Sequence, residues 1–272
     1  RYLFIDLNLP PRMSNEELRT LWHGIHRECS RLGIAVVAGH TGRYEGVDYP
    51  MIGGATMVGV TGRDEWVAPT MARPGDVVIM TKGAAVEAAG ILASMFPAVL
   101  ERRYGREFAR RAQDIFWLQS VVDDALTLSG LGLRKGVTAM HDATEYGVWG
   151  ALIDVAEASG VSIVVDRSSL FIRDDVEKVL RAFEEVTGVR IDPFAAISEG
   201  TLIATVSPDK AEKALSLLKA KGIEARVIGR VEDGSGVYLD DGASLKKVVQ
   251  PAEDPFWPTF FRVLDLARRG EL

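Results

Sequence analysis

Three short segments carry residue types and spacings from which chemistry can be built. Gly39-His40-Thr41-Gly42 sets a histidine and a hydroxyl between two glycines, directly after the apolar run 34–38. Glycines let a backbone approach a ligand closely, so exposed N–H groups together with Thr41 can bind phosphate oxygens; the same letters also spell a plain tight turn. Residues 138–147 (TAMHDATEYG) precede a helix that begins near Val148. Backbone N–H groups at a helix start favour an anion, and Asp142 and Glu145 can hold a magnesium ion; alternatively Asp142 or Thr144 simply caps the helix. Thr81-Lys82-Gly83, at the start of another helix, is a third anion-friendly opening with Lys82 as a point charge. His40 and His141 each stand in a short polar run at the end of an apolar segment, where a loop presents side chains to a ligand. His23 and His26 are spaced i, i+3, a spacing that can grip a metal or leave two solvated side chains on a polar face.

Regular elements have to hold these segments. Residues 2–9 read as a strand that stops at Pro10-Pro11. Ser14 and Glu17 form a capping box, after which Leu18, Leu21, Trp22, Ile25, Cys29 and Leu32 recur on one helical face until Gly33. Cys29 belongs to that stripe and reads as a buried structural thiol. Strands follow at 34–38 and 51–60, and the turn Arg73-Pro74-Gly75-Asp76 before a strand at 77–80 marks a domain boundary. Helices are expected at 84–95, 98–113, 114–128, 148–159 and 174–187, the last with Val176, Val179, Leu180, Phe183 and Val186 on one face and Gly188 as its stop. A strand at 162–166 follows Gly160. A strand at 202–206, a helix opened by Ser207-Pro208 and a strand at 225–231 form a βαβ-like unit. Pro251, Pro255 and Pro258 lead into an amphipathic tail.

The composition excludes several classes. The chain has 272 residues, 47% hydrophobic and 26% charged, which suits two folded domains and rules out disorder and low-complexity architecture. No run approaches the roughly 18 apolar residues of a membrane helix. A net charge of −6, from 32 basic and 38 acidic residues, argues against nucleic acid as the main partner. The lone Cys29 excludes an internal disulfide and suits a reducing cytoplasm. Asparagine occurs only at Asn8 and Asn15 and glutamine only at Gln113, Gln119 and Gln250, a bias compatible with a thermophilic source.

No G-x-x-x-x-G-K-[ST], strand-linked G-x-G-x-x-G, H-E-x-x-H or G-x-S-x-G occurs, which removes Walker-type NTPases, Rossmann dehydrogenases, zincins and α/β-hydrolases. In order, the chain shows a GHT segment, IGGATMVGV, RPGDVVIMTKG, MHDATEYGVWGALIDVAEASG, ISEGTLIATVSP and ARVIGRV. This succession, over roughly residues 1–232, resembles the aminoimidazole ribonucleotide (AIR) synthetase superfamily. That group includes the hydrogenase-maturation protein HypE, thiamine monophosphate kinase, selenophosphate synthetase and formylglycinamide ribonucleotide amidotransferase.

The resemblance implies an α/β (α+β) fold: an N-terminal α/β domain of the AIR-synthase type (1–74) that pairs in a homodimer, an α/β sandwich C-terminal domain (75–250) and an amphipathic tail (251–272). It implies ATP chemistry without a Walker loop, with Mg2+, in which an acceptor oxygen is phosphorylated or activated. Gly39, His40 and Thr41 then match the nucleotide and magnesium site. His141, Asp142, Ala143 and Thr144 match the run that faces it, with His141 and Asp142 as catalytic residues. Thr81, Lys82, Gly83 and Thr144 are expected at the nucleotide, and Asp142 and Glu145 at the metal. Ser198-Glu199-Gly200 matches a segment near the cleft.

Departures accompany the match. HypE-like and kinase members usually carry aspartate where His40 stands. The family's paired glycines after the HD-x-T run become Tyr146-Gly147, with Glu145 where arginine or aspartate is common. The terminal cysteine of HypE has no counterpart in Arg269-Gly270-Glu271-Leu272, and the family's front segment is expected before Arg1. The leading expectation is a cytoplasmic, homodimeric, ATP- and Mg2+-dependent HypE-like enzyme with an unidentified acceptor and no nucleic-acid or membrane partner. A catalytically silent nucleotide-binding assembly or maturation factor stands beside it, as does a small-molecule kinase resembling thiamine monophosphate kinase or selenophosphate synthetase.

Overall fold

The capping box forms as the letters require. The Ser14 hydroxyl accepts the Glu17 N–H at 3.2 Å, the Glu17 carboxylate accepts the Ser14 N–H at 2.7 Å, and helix α1 (Asn15–Leu32) begins there. It ends at Gly33, whose φ of 64° is left-handed and needs no Cβ. The computed structural model describes residues 1–272 and divides into two compact units, Arg1–Arg63 and Asp64–Leu272.

In the first unit, β1 (Tyr2–Leu9) lies between β2 (Ala35–Arg43), parallel to it, and β3 (Met51–Val58), antiparallel. Strand alternation points Ile5, Leu7 and Leu9 toward Leu18, Leu21, Trp22 and Ile25 of α1. Tyr2 and Phe4 point the other way and are exposed, and β2 and β3 are exposed along almost their whole lengths. The Gly39-His40-Thr41-Gly42 segment is part of β2, neither loop nor tight turn, with His40 opposite Asp6 and Thr41 opposite Leu7. Gly39 is required by packing, since a Cβ there would sit 1.9 Å from the Ile5 carbonyl oxygen.

The second unit comprises β4 (Val77–Thr81), α2 (Val86–Met95), α3 (Pro97–Tyr104), α4 (Arg106–Gln113), α5 (Val122–Ser129), β5 (Val137–Asp142), α6 (Gly147–Ser159) and β6 (Ser162–Asp166). It continues through α7 (Asp174–Thr187), β7 (Leu202–Val206), α8 (Ala211–Ala220), β8 (Ala225–Glu232), β9 (Gly236–Asp240), β10 (Leu245–Lys247) and α9 (Phe256–Arg268). Its seven-stranded sheet has the order β10-β9-β6-β8-β4-β7-β5. Alternation assigns the two faces: Val78, Met80 and Ile203 pack with α6 residues, while Ile79, Leu202, Ala204 and Val206 pack with Leu128, Ala214 and Leu218 of α5 and α8. A separate helical core joins α2, α3, α4, α7 and α9 around Phe183, which is fully buried.

Several expectations shift. The compact division falls at Arg63/Asp64, ahead of the Arg73-Pro74-Gly75 turn, because the segment before that turn is tied into the second unit. Ser159 Oγ donates to the Pro69 carbonyl at 2.7 Å and accepts the Ala72 N–H at 3.1 Å. The tail packs on the second unit, where Phe256 and Val263 lie in the α2–α7 core. The expected helix 98–113 breaks at Gly105, whose φ is 86°, and 114–128 resolves into a 3-10 stretch Asp114–Gln119 followed by α5. Val186 is exposed and does not belong to the buried face of α7. Residues 137–142 form a strand, because pairing with β7 recruits a polar run that alternation alone does not mark. The βαβ-like unit is present in a looser form: β7 and β8 flank β4, both antiparallel to it, and are therefore parallel to each other.

Candidate functional site

Sheet order builds the site. Strands β4 and β5 are both antiparallel to the β7 that lies between them, so the loops leaving β4 and β5 and the loop entering β7 meet at one edge. The β4–α2 loop turns sharply, with Lys82, Gly83 and Ala85 all at left-handed φ of 59°, 80° and 58°. Two of those three are not glycine, a strain that persists only where surrounding contacts over-determine it. The β5–α6 loop carries Asp142, Thr144, Glu145 and Tyr146, and the segment before β7 carries Ser198, Glu199 and Thr201.

Hydrogen bonds stitch the three loops together. Ser198 Oγ accepts the Val86 N–H at 3.3 Å and is 2.8 Å from the Thr201 hydroxyl, which donates to the Gly83 carbonyl. The Thr144 carbonyl accepts the Ser198 N–H at 3.3 Å and the Gly147 N–H at 3.1 Å. Glu87, in the first turn of α2, accepts the Glu199 N–H at 3.0 Å.

Carboxylates crowd this edge. Burial pushes the Glu87 carboxyl up to about 7, with neighbouring Glu199, Glu145 and Asp254 adding to the rise against the hydrogen bond from Glu199. Glu199 is raised by burial and by the charges of Asp142 and Glu145, and Asp254 by burial, against three backbone N–H bonds. His141 bridges Asp142 and Asp154, with Nδ1 3.3 Å from one and Nε2 3.3 Å from the other. The Asp142 contact holds the imidazole above its ordinary value and keeps the Asp142 carboxyl below its own. The edge is therefore acidic, with the His141 imidazole set against it.

Not every expected residue takes part. Thr81 is fully buried and its hydroxyl accepts the Leu202 N–H at 3.1 Å. Lys82 is 6% exposed; its ammonium donates to the Ser120 carbonyl at 2.9 Å and to Asp124 at 2.8 Å, so it is a buried ion pair and not a free point charge for an anion. Gly83, His141, Asp142, Thr144 and Glu145 all lie at or next to the strand-end edge of the second unit, in the β4–α2 loop, at the end of β5 and in the β5–α6 loop. Gly39, His40 and Thr41 belong to the first unit, where the His40 imidazole is 2.7 Å from the Tyr44 hydroxyl. His23 and His26 are exposed on α1, while Cys29 is buried. No three His, Cys, Asp or Glu side chains assemble into a preformed metal cage. Glu87 and Asp254 escaped sequence reading because an acid in a helix's first turn and an aspartate before a helix are ordinary capping letters.

Residues 73–242 match the family described as AIR synthase related protein, C-terminal domain, which is more than half of the chain. The chain belongs to the AIR synthase-related family. Among AIR synthase-related sequences, it is 24% identical over 257 residues to a putative hydrogenase expression/formation protein of Methanocaldococcus jannaschii, covering 93% of this chain and 71% of that one. It is 25% identical over 249 residues to the thiamine-monophosphate kinase of Pyrococcus abyssi, covering 90% and 69%. Its fold is shared with E. coli HypE, at a TM-score of 0.71, 22% identity and coverage of 95% of this chain and 76% of that one. A HypE solved in complex with ATP superposes at a TM-score of 0.63, with 18% identity and coverage of 94% and 75%. No helix of this AIR synthase-related chain is long and apolar enough to cross a membrane.

Proposed function

We propose that this chain is an ATP-dependent, Mg2+-requiring enzyme of the HypE-like kind that phosphorylates or activates an acceptor oxygen, with the strand-end edge of the second unit as its phosphate- and cation-binding part. The observation that carries the reading is the convergence of three loops that raise the Glu87 and Glu199 carboxyls and hold Asp142 ionised beside His141. Such mutual repulsion is relieved by a bound cation, and Asp142 and Glu145 are the residues proposed to hold it. Magnesium there would offset phosphate charge and orient the transferred group. His141, whose proton Asp142 and Asp154 favour, would donate a hydrogen bond to a phosphate oxygen. Gly83 and Thr144 remain proposed nucleotide contacts of the second unit; Gly39, His40 and Thr41, on the exposed β2, are proposed for nucleotide binding by the first unit taken by itself. Lys82 and Thr81 are assigned structural work instead. The ATP complex of HypE supports nucleotide binding by analogy of fold.

The uncovered sheet of the first unit supports homodimerisation. On the face turned away from α1, Tyr2, Phe4 and Val58, which pairs with Tyr2, are each more than 40% exposed, an apolar surface that a second copy of the chain would cover. Cytoplasmic residence belongs to the same reading and is supported by the single reduced Cys29. A catalytically silent nucleotide-binding factor is the second reading, favoured by Tyr146, which stands at a left-handed φ of 61° where a glycine would be relaxed.

Thermal melting with ATP and Mg2+ is the test. Ligand at 100 to 1,000 times its Kd should stabilise the protein by roughly 2.7 to 4.1 kcal/mol, and Asp142→Ala or His40→Ala should abolish the shift. No shift in the unmodified chain would remove the basis of both readings. A shift without ADP release for any acceptor would select the silent factor.

A further inference from the structure

The segment after Pro251 returns to the candidate site. Its helix α9 buries Phe256 and Val263 in the core shared by α2 and α7. Just before that helix stands Asp254, 3% exposed, with both carboxylate oxygens engaged by backbone donors from separate places. Oδ2 accepts the Tyr146 N–H at 2.8 Å, while Oδ1 accepts the Phe256 N–H at 2.9 Å and the Ile197 N–H at 3.4 Å. Capping α9 needs only the bond to Phe256. The other two donors belong to the site: Tyr146 closes the loop bearing Asp142 and Glu145, and Ile197 opens the one bearing Ser198 and Glu199.

Two features make this clamp more than a cap. Tyr146 sits at a left-handed φ of 61°, which a tyrosine keeps only when its surroundings hold it there, and Asp254 grips that residue's own N–H. A carboxylate so deeply placed, among the charges of Glu145 and Glu87, is also tolerated only because backbone donors satisfy it.

Resting on the reading of the site proposed above, we infer that Asp254 is a positioning residue for the proposed nucleotide–cation site. Acting through the Tyr146 and Ile197 backbone, it fixes the separation of the Asp142–Glu145 loop from the Ser198–Glu199 loop and makes the tail part of the site. Asp254 itself touches no ligand.

The experiment compares Asp254→Asn, Asp254→Glu and Val263→Ala in the full chain. Val263→Ala loosens the same tail without touching the carboxylate. Asparagine keeps one oxygen and turns an N–H2 group toward either Tyr146 or the Ile197–Phe256 pair, so amide hydrogen exchange at Tyr146 or Ile197 should accelerate. Loss of a charge-assisted bond predicts that the Kd for ATP with Mg2+ rises roughly tenfold or more in Asp254→Asn, beyond any rise in Val263→Ala at comparable stability. Asp254→Glu, which keeps both oxygens and the charge, should recover part of that affinity. Equal weakening in Asp254→Asn and Val263→Ala, or unchanged exchange at both amides, would overturn the inference. If the unmodified chain does not bind ATP with Mg2+, the functional reading falls first, and the exchange rates alone then support or overturn the clamp.

Discussion

The two sheets of this protein solve the same packing problem differently. The sheet of the second unit is covered on both faces, by α6 on one side and by α5 and α8 on the other, and Val78, Ile79 and Met80 of its inner strand β4 are fully buried. The three-stranded sheet of the first unit has one helix, one covered face and two outer strands exposed almost throughout. Both alternate in the same way. What differs is how many amphipathic helices the local sequence supplies, and a sheet with one helix keeps an apolar face that its own unit does not cover.

That contrast can be broken most sharply in the covered half. Phe183→Ala should destabilise the second unit by about 3–5 kcal/mol in denaturant titration, since the side chain is fully buried and a cavity would remain. Lys82→Met should cost about as much, roughly 3–5 kcal/mol, by leaving Asp124 buried and unpaired, and the double variant Lys82→Met/Asp124→Leu should regain most of the loss. Phe4→Glu, on the uncovered face, should leave urea unfolding of the second unit within about 0.5 kcal/mol of the unmodified chain. It should nonetheless lower the molecular mass measured by sedimentation; an unchanged mass would mean that this face is not the association surface.

The smallest effect is a pH dependence. Glu87 is raised to about 7, so between the ordinary glutamate value and that point the folded protein holds a proton that the unfolded chain has released. Stability from this group is therefore complete at acid pH and falls as pH rises through that window. Glu87→Gln should flatten the melting temperature over pH 5 to 7 without changing its acid limb, which a pH series of thermal melts would read.

Local chemistry made much of the fold legible. The Ser14–Glu17 box, the Gly33, Gly160 and Gly188 helix stops and the α7 stripe through Val176, Val179, Leu180 and Phe183 are short-range events, and all are present. The acidic loop 142–145 could be singled out because strand, polar run and helix follow one another in the chain. Where expectation and structure part, a distant partner intervened. His40 lies in a strand because β1 pairs with it, and residues 137–142 are a strand because β7 does.

The sequence by itself determined where several helices start and stop, which of their faces are apolar, and which loops bear acids. Tertiary structure alone decided what those acids and cations do. Lys82 became structural because Asp124 meets it from 42 residues away, and Asp254 became part of the site through Tyr146, 108 residues distant. Periodicity reports a residue's neighbours within a turn or a pleat. Burial, charge pairing and the pKa of Glu87 depend on groups that only the folded chain brings within reach.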